Sequence, residues 1–114
     1  MPDIPEPIKE QCESKGGIPG IVRKLPPNRV VEERSQMFRA LGEPMRQKIL
    51  LAVAEQPLCA CLIRELLGIS DSKLSYHHTI LKEARLIKGK KDGIWVIYEA
   101  TKKGNQIASS ISKL

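Results

Sequence analysis

The sequence has few aromatic side chains and no long apolar segment. Phe, Trp and Tyr make up 4% of the 114 residues, so we expect an aliphatic core and no large aromatic-lined ligand pocket. No apolar run approaches the roughly 18–20 residues that cross a bilayer. The N-terminus carries Asp3, Glu6 and early prolines in place of an apolar segment, so we expect no signal peptide and a cytoplasmic protein.

Cysteine is also scarce, and its number is odd. The three cysteines are Cys12, Cys59 and Cys61. In a reducing cytoplasm, an odd number of cysteines with close spacing favours thiolates for metal or redox chemistry over structural disulfides. Cys59 and Cys61 stand two residues apart at the start of an apolar, helix-like segment, so they form the leading candidate site.

Acidic residues are outnumbered by basic ones, and the excess lies outside the N-terminus. The formal net charge is +6, whereas residues 1–20 carry two basic and four acidic side chains. Residues 21–114 therefore have a balance of +8. A basic surface attracts polyanions through counterion release, which favours nucleic acid as the partner.

Proline and glycine are concentrated in residues 1–29, which hold six of the eight prolines and three of the eight glycines. This density excludes a long helix and predicts an extended N-terminal arm over 1–29. From residue 30 onward, apolar residues recur at helical spacing, so we expect 30–114 to form one folded domain.

The predicted fold is mainly α with a small β-hairpin wing. Helices are expected over about 30–41, from Pro44 up to Pro57, over 58–67, over 71–84 and over 101–114, with strands over 86–91 and 94–99. In the third helix, Leu62, Ile63, Leu66 and Leu67 are expected to face inward. Asp92-Gly93 predicts a two-residue type I′ turn, and Trp95 and Tyr98 are expected to pack within the hairpin.

The turn Gly68-Ile69-Ser70 lies between two predicted helices and is typical of helix-turn-helix DNA-binding proteins. The second of these helices has a polar face whose side chains can donate to and accept from base edges, and the hairpin lysines are expected on phosphates. The predicted DNA-binding residues are Ser72, Lys73, Ser75, Tyr76, Thr79, Arg46, Lys88, Lys90 and Lys91. Adjacent His77 and His78 diverge by about 100° on a helix, so we expect one inside and one near DNA, with no shared metal ion.

The first and last helices of the domain leave an apolar surface that so short a chain cannot cover alone. We therefore predict a homodimer through these two helices. Two recognition helices related by a two-fold axis fit successive major grooves, which predicts a palindromic double-stranded operator.

Over about residues 30–108 these features resemble the ArsR/SmtB family of winged helix-turn-helix repressors that respond to metals and metalloids. The shared motifs are Leu41-Gly42-Glu43-Pro44-Met45-Arg46, Leu-Cys-x-Cys-Leu at 58–62, Gly68-Ile69-Ser70 and Asp92-Gly93. The resemblance implies a homodimeric repressor that is not an enzyme and needs no cofactor to bind DNA. It also places Cys59 and Cys61 at the thiolate sensing site of the family.

The chain departs from the family's ligand patterns in three places. Arg64 occupies the position of the third cysteine of common arsenic sensors. Cys12 resembles an arm cysteine of the cadmium and lead sensors, but Ile8 stands where a second one is expected. After Thr101 there is no His, Asp or Glu, so the zinc and cobalt site of the last helix is expected to be absent.

The predicted metal ligands are Cys59, Cys61 and Cys12. Three thiolates suit As(III) or Sb(III), or Cd(II), Pb(II) or Bi(III) with a further donor, whereas Zn(II) prefers four ligands. Cys12 can come from the same chain or the partner, and an external thiol can replace it. The alternative function is a winged-helix transcription factor whose cysteines are structural or form a redox switch, without metal sensing.

Overall fold

The structure is a computed structural model, and it describes residues 3–114. By its internal contacts the chain divides into two compact units, one ending at Glu32 and one spanning Glu33–Leu114. The elements, in chain order, are α1 (Glu6–Ser14), α2 (Gly17–Lys24), α3 (Asn28–Leu41), α4 (Pro44–Glu55), β1 (Leu58–Cys59), α5 (Ala60–Leu67), α6 (Asp71–Glu83), β2 (Ile87–Asp92), β3 (Trp95–Ala100) and α7 (Lys102–Ser112).

The extended conformation predicted for residues 1–29 is wrong, because two short helices occupy most of this segment. Pro7 and Pro19 lie in the first turns of α1 and α2, where the missing N–H has no intrahelical partner to lose. Gly16 and Gly17, with φ of 89° and 71°, form the turn between the helices. The prolines and glycines therefore limit the helices to nine and eight residues but do not prevent them.

The helices predicted after residue 30 are present, and their observed ends differ from the predicted ends by at most two residues. Glu43 caps α4 by accepting a hydrogen bond from the backbone N–H of Arg46 at 3.1 Å. Gly68 ends α5 in the left-handed conformation, and Ser70 caps α6 by accepting from the N–H of Lys73 at 3.3 Å. The tight turn predicted before α6 is therefore confirmed.

The third predicted helix starts too early, because Leu58 and Cys59 form the short strand β1. This strand pairs antiparallel with β3, with Leu58 opposite Tyr98 and Cys59 opposite Ile97. Two residues are too few to show an alternating pattern, which is why the sequence did not indicate a strand.

The inward face predicted for the third helix is also partly wrong. Ile63 is fully buried and Leu67 half-buried, but Leu62 and Leu66 are 41% and 59% exposed. The four side chains span a broad arc of this eight-residue helix, and only the side that carries Ile63 and Leu67 faces the core.

The three strands form an antiparallel sheet in the order β1-β3-β2. Asp92 pairs with Trp95 at the end of the hairpin, so the loop consists of Gly93 and Ile94. Gly93 has φ of 62°, whereas Ile94 is not among the residues with positive φ. One positive φ at the first loop position is the type II′ arrangement, so the predicted type I′ turn is wrong. Trp95 is 54% exposed and does not pack within the hairpin as the sequence suggested, whereas Tyr98 does.

The core is aliphatic, as predicted from the low aromatic content. Its largest fully buried side chains, apart from one histidine, are Ile49, Leu50, Ile63, Leu81 and Leu86. Helix α7 reaches this core at Gly104, where a Cβ would overlap the carbonyl oxygen of Leu86. Within residues 3–114 no helix has the length and hydropathy needed to cross a membrane.

We expect Gly104→Ala to lower the free energy of unfolding by about 1–3 kcal/mol, because the added methyl forces α7 away from the Leu86 carbonyl. Chemical denaturation measures this change. Ser109→Ala, at an exposed position of the same helix, should change the free energy by less than about 0.5 kcal/mol. Equal stability of the two variants would contradict the close approach at Gly104.

Candidate functional site

Cys59 and Cys61 flank the start of α5 and bring their sulfurs together. The two Sγ atoms lie 2.7 Å apart. Cys59 is the N-cap of α5, and its Sγ accepts a hydrogen bond from the backbone N–H of Leu62 at 3.4 Å. Cys59 is half-buried and Cys61 is exposed. The pair is therefore an open dithiol that solutes can reach.

The two thiols differ in acidity. The hydrogen bond from the Cys61 thiol, and after it the Leu62 N–H, lower the pKa of Cys59. The same thiol–thiol bond, together with desolvation, raises the pKa of Cys61. The first proton therefore leaves Cys59, whose thiolate is held by the helix N-terminus. Two adjacent sulfur donors of this kind can bind soft cations.

Strand β3 connects the dithiol to α6. Cys59 pairs with Ile97, and the next residue, Tyr98, stacks on His78 of α6 with ring centroids 3.6 Å apart and an angle of 35° between the rings. Across the hairpin, Tyr98 faces Gly89, where a Cβ would stand 2.9 Å from the tyrosine ring. The missing side chain of Gly89 thus leaves room for the ring.

His78 is the buried polar residue of this stack, with 2% of its surface exposed. Its Nε2 has no hydrogen-bond partner within residues 3–114. Desolvation, followed by the charges of Lys82 and His77, lowers the pKa of His78 to about 4. His78 is therefore neutral at physiological pH, and it is the inward member of the predicted histidine pair.

A second connection runs from α5 to α6 on the surface. Arg64, one turn after Cys61, forms a 2.7 Å ion pair with Asp71 in the first turn of α6. The side chains are 36% and 81% exposed, so this pair contributes at most about 1 kcal/mol. The ion pair therefore holds the start of α6 weakly, whereas the stack of Tyr98 on the buried His78 holds the middle of the helix.

The polar face predicted for α6 is solvent-exposed. All five of its predicted DNA-binding residues are exposed: Ser72, Lys73, Ser75, Tyr76 and Thr79. The Thr79 hydroxyl donates to the carbonyl of Ser75 at 2.9 Å. Leu74, His78 and Leu81 are buried on the opposite side. The helix therefore presents hydroxyl, phenol and ammonium groups outward from a fixed apolar face.

Arg46 is more constrained than a free surface cation. It is half-buried, its Nε donates to the carbonyl of Ala40 at 2.6 Å, and a terminal guanidinium nitrogen lies 3.3 Å from Nδ1 of His77. These contacts join the end of α3 to α6. Any phosphate contact of Arg46 must use the remaining N–H groups of its guanidinium.

The three predicted hairpin lysines are exposed on β2. Lys88 forms a 3.4 Å ion pair with Glu99 on β3. Lys90 and Lys91 pair in register with Ile97 and Val96, and neither forms an ion pair within the described part of the chain. Lys90 and Lys91 therefore carry the uncompensated positive charge of the hairpin.

Cys12 lies on α1 and is half-buried. It lines a hollow of about 410 Å³ together with Ile8, Gln11, Ser14, Lys15 and Ile21. Among the residues that the structure describes, no three His, Cys, Asp or Glu side chains come together as a possible metal site. Within residues 3–114 the dithiol thus supplies two donors, and no third His, Cys, Asp or Glu donor is assembled with them.

Helices α3 and α7 border an apolar hollow of about 320 Å³. Its lining comprises Phe38, Leu41, Gln47, Ile107, Ser110, Ile111 and Leu114. Phe38 is 64% exposed although it is a large aromatic side chain. An apolar surface with such an exposed aromatic is typical of a protein interface.

Sequence reasoning missed strand β1 and the stack of Tyr98 on His78. The stack was missed because the hairpin turn was predicted one residue too early in the chain. A loop at Asp92-Gly93 would pair Gly89 with Val96, whereas the loop at Gly93–Ile94 pairs it with Tyr98. A glycine opposite an aromatic residue is the signal that the correct register would have supplied.

The comparisons with known proteins agree with this architecture. A family model described as "Bacterial regulatory protein, arsR family" matches residues 43–88. An uncharacterized HTH-type transcriptional regulator of Methanocaldococcus jannaschii is 37% identical over 68 residues, which cover 59% of this chain and 76% of that protein. A putative arsenical resistance operon repressor ArsR of Halobacterium salinarum is 36% identical, over 67% of this chain and 60% of its own length.

Similar solved structures include a homodimeric winged helix-turn-helix DNA-binding domain from Mycobacterium bovis, a possible ArsR-family transcriptional regulator. It superimposes with a TM-score of 0.69 at 16% identity, covering 75% of this chain and 80% of that domain. At this identity the similarity shows the fold, which is a winged helix-turn-helix. Helices α5 and α6 are its helix-turn-helix, and the β2–β3 hairpin is its wing.

We expect stability to depend on pH through His78. Because the pKa of His78 is lowered from 6.5 to about 4, the unfolded chain takes up a proton below pH 6.5 that the folded chain does not. The His78 contribution to the free energy of unfolding should be fully present above pH 6.5. As the pH falls toward 4, the free energy of unfolding should decrease by up to about 1.4 kcal/mol per pH unit.

Urea denaturation across this pH range measures the slope. His78→Phe keeps a ring on Tyr98 and should lose the His78 contribution, whereas the control His77→Gln should keep it. The same slope in wild type and His78→Phe would show that another group is responsible.

Proposed function

Since the chain belongs to the arsR family of bacterial regulatory proteins, we propose that it is a cytoplasmic, homodimeric repressor that leaves its operator when cysteine thiolates bind a thiophilic ion. The family consists of transcriptional regulators, and the winged helix-turn-helix fold is that of a DNA-binding protein. The observation that carries the proposal is the open dithiol of Cys59 and Cys61, which is joined through β3 to the stack on α6.

The DNA contacts are proposed from exposure and charge. The outer face of α6 enters the major groove, with Lys73, Ser75, Tyr76 and Thr79 nearest the base edges. Ser72, beside the N-cap of α6, binds a backbone phosphate, as do Lys88, Lys90 and Lys91 of the wing. Arg46 acts mainly through His77, so it positions α6 and adds a phosphate contact only secondarily.

The inducer site consists of Cys59 and Cys61 with a third sulfur. When bound, As(III), Sb(III), Cd(II) or Pb(II) supplies a bridge between soft donors. Both thiols would lose their protons to solvent on binding such an ion, so the hydrogen bond between the two sulfurs would be lost and the Cys59 sulfur, which accepts from the Leu62 N–H, would turn toward the ion. Cys12, from this chain or the partner, is the proposed third ligand, and an external thiol is the alternative.

The coupling to DNA follows from the position of Cys59 in β1. A rotation of Cys59 disturbs its pairing with Ile97 and hence Tyr98, whose ring is fixed against His78. Helix α6 and the wing therefore shift relative to each other. A coupling free energy of about 1–3 kcal/mol is sufficient to lower operator affinity 5- to 150-fold.

The proposed dimer forms through α3 and α7, where Phe38 and the apolar hollow are exposed. A second copy would cover this surface and set two α6 helices about a two-fold axis. Such a dimer matches a palindromic operator with half-sites one helical turn apart.

A thiol redox switch is the second candidate function, favoured by the 2.7 Å separation of the two sulfurs. A disulfide needs a separation of about 2.05 Å, so little movement is required to close one. The two functions differ in their trigger. A redox switch responds to oxidants. Under reducing conditions it does not respond to soft ions.

We expect Cys59→Ser and Cys61→Ser to bind DNA like wild type but to lose release by soft ions, because each removes a proposed ligand without touching the outer face of α6. Mobility shift of an operator fragment, titrated with As(III), Sb(III), Cd(II), Pb(II) and Zn(II) under reducing conditions, measures both properties. Cys12→Ser tests the third ligand.

The matched control for the cysteine variants is Ala60→Ser, which places a hydroxyl between the two cysteines and keeps both thiols. It should respond like wild type. Release of the Cys59→Ser/Cys61→Ser double variant by any of these ions would refute the proposed inducer site, and indifference of wild type to all five would leave only the DNA-binding function.

We also expect Phe38→Glu to convert the dimer into a monomer, because it places a charge in the apolar surface between α3 and α7. Analytical ultracentrifugation measures the mass. Leu66→Glu is the control, since Leu66 is similarly exposed, at 59% against 64%, but lies on α5. A monomeric wild type, or a dimeric Phe38→Glu variant, would contradict the proposed interface.

A further inference from the structure

A charged cleft lies in the 33–114 unit, where the proposed functions above use none of its side chains. It has a volume of about 130 Å³, which is the space of about four water molecules in the liquid. Helix α3, the turn after α6 and the start of α7 enclose it. Its lining comprises Glu33, Gln36, Glu83, Ala84, Arg85 and Lys103. None of these residues lines the apolar hollow between α3 and α7.

The turn after α6 forms a fixed wall of this cleft. Arg85 has φ of 61° and is the one residue other than glycine with positive φ among residues 3–114. Residues that carry a Cβ rarely adopt this left-handed conformation, and it persists where the surrounding structure holds it. The Thr101 hydroxyl donates to the carbonyl of Arg85 at 2.7 Å, and the Arg85 N–H donates to the carbonyl of Lys82 at 2.9 Å. The backbone that carries the Arg85 side chain is therefore held from both sides.

The charged side chains of the cleft are not paired with one another. Neither of the two ion pairs found in residues 3–114 involves a residue of the cleft. Lys103 is half-buried, whereas Glu33, Glu83 and Arg85 are exposed. Two carboxylates and two cations thus face one small space, and a solute can reach them.

This balance of charge indicates the class of ligand. Two acidic and two basic side chains give the cleft a net charge of zero. A simple anion would be attracted by Arg85 and Lys103 but repelled by Glu33 and Glu83, and a simple cation would meet the reverse. A molecule that carries both charges can satisfy both pairs, and the small volume leaves room for few atoms besides its charged groups.

We propose that the cleft binds a small zwitterion of the α-amino acid class, of the size of glycine, alanine or serine. The ligand carboxylate lies on the guanidinium of Arg85, which can donate two parallel hydrogen bonds, and beside the ammonium group of Lys103. The ligand ammonium group lies between the carboxylates of Glu33 and Glu83. This site is separate from the dithiol, so its occupation depends neither on a soft ion nor on DNA.

Amide NMR titration of the isotopically labelled full chain, without metal or DNA, measures both the affinity and the position of the ligand. L-alanine should shift the amide signals of residues 84–86 and 103, with a dissociation constant on the order of 1 mM. Propionate lacks the ammonium group and L-alaninamide lacks the carboxylate, so each should bind at least about 10-fold more weakly.

Arg85→Asn should weaken the binding of L-alanine about 10- to 100-fold, because asparagine tolerates the left-handed conformation but has no charge. Arg39→Asn is the matched control, since Arg39 is exposed on α3 and does not line the cleft. The control should bind like wild type. Glu33→Gln removes a partner of the ligand ammonium group and should also weaken binding, and it decides the matter if Arg85→Asn does not fold.

The inference is overturned if glycine, L-alanine and L-serine leave the spectrum unchanged at concentrations well above the expected dissociation constant. It is also overturned if the shifted signals belong to residues outside the cleft, or if propionate or L-alaninamide binds as tightly as L-alanine. Wild-type affinity of folded Arg85→Asn and Glu33→Gln would likewise overturn it.

Discussion

The antiparallel pairing of β1 with β3 is the interaction on which the rest of the site depends. It involves only Leu58 and Cys59 on one side and Ile97 and Tyr98 on the other. Through it, Cys59 at the start of α5 is paired with the strand that carries Tyr98, and Tyr98 packs on α6. The other connections of the dithiol to α6 are the α5–α6 turn, the exposed ion pair of Arg64 with Asp71, and the core in which Ile63 of α5 is buried together with Leu74 and Leu81 of α6.

The relative strengths of these connections decide which one transmits a change. The Arg64–Asp71 pair is exposed and screened by salt, and it contributes at most about 1 kcal/mol. In the stack of Tyr98 on His78 the histidine is buried and the tyrosine half-buried, and Gly89 leaves room for the tyrosine ring across the hairpin. If a soft ion binds as proposed, we expect a rotation at Cys59 to be transmitted mainly through β3 and the packed aromatic pair, and less through the exposed ion pair.

The sequence predicted most of the fold because the informative signals are local. Gly68 and Ser70 mark the turn before α6, and the buried Leu74 and Leu81 have helical spacing. The exposed face of α6 and the close approach of Cys59 to Cys61 follow from spacing in the same way. Their roles in DNA and ion binding stay predictions.

The elements that the sequence did not predict depend on tertiary pairing. Strand β1 exists because β3 offers hydrogen-bonding groups to Leu58 and Cys59, and the helices of the arm form despite its prolines because Pro7 and Pro19 fall in first turns. The loop at Gly93–Ile94 shifts the register of the hairpin by one residue on each strand. That shift brings Gly89 opposite Tyr98, which explains why the stack with His78 was not foreseen.

Amide hydrogen exchange, measured with and without a bound soft ion, tests the central claim most directly. If ion binding at the dithiol acts through β3, the exchange rates should change at Ile97 and Tyr98 and in the turn of α6 around His78, as well as at Leu62. A change confined to the first turn of α5, with β3 and α6 unaffected, would contradict the account.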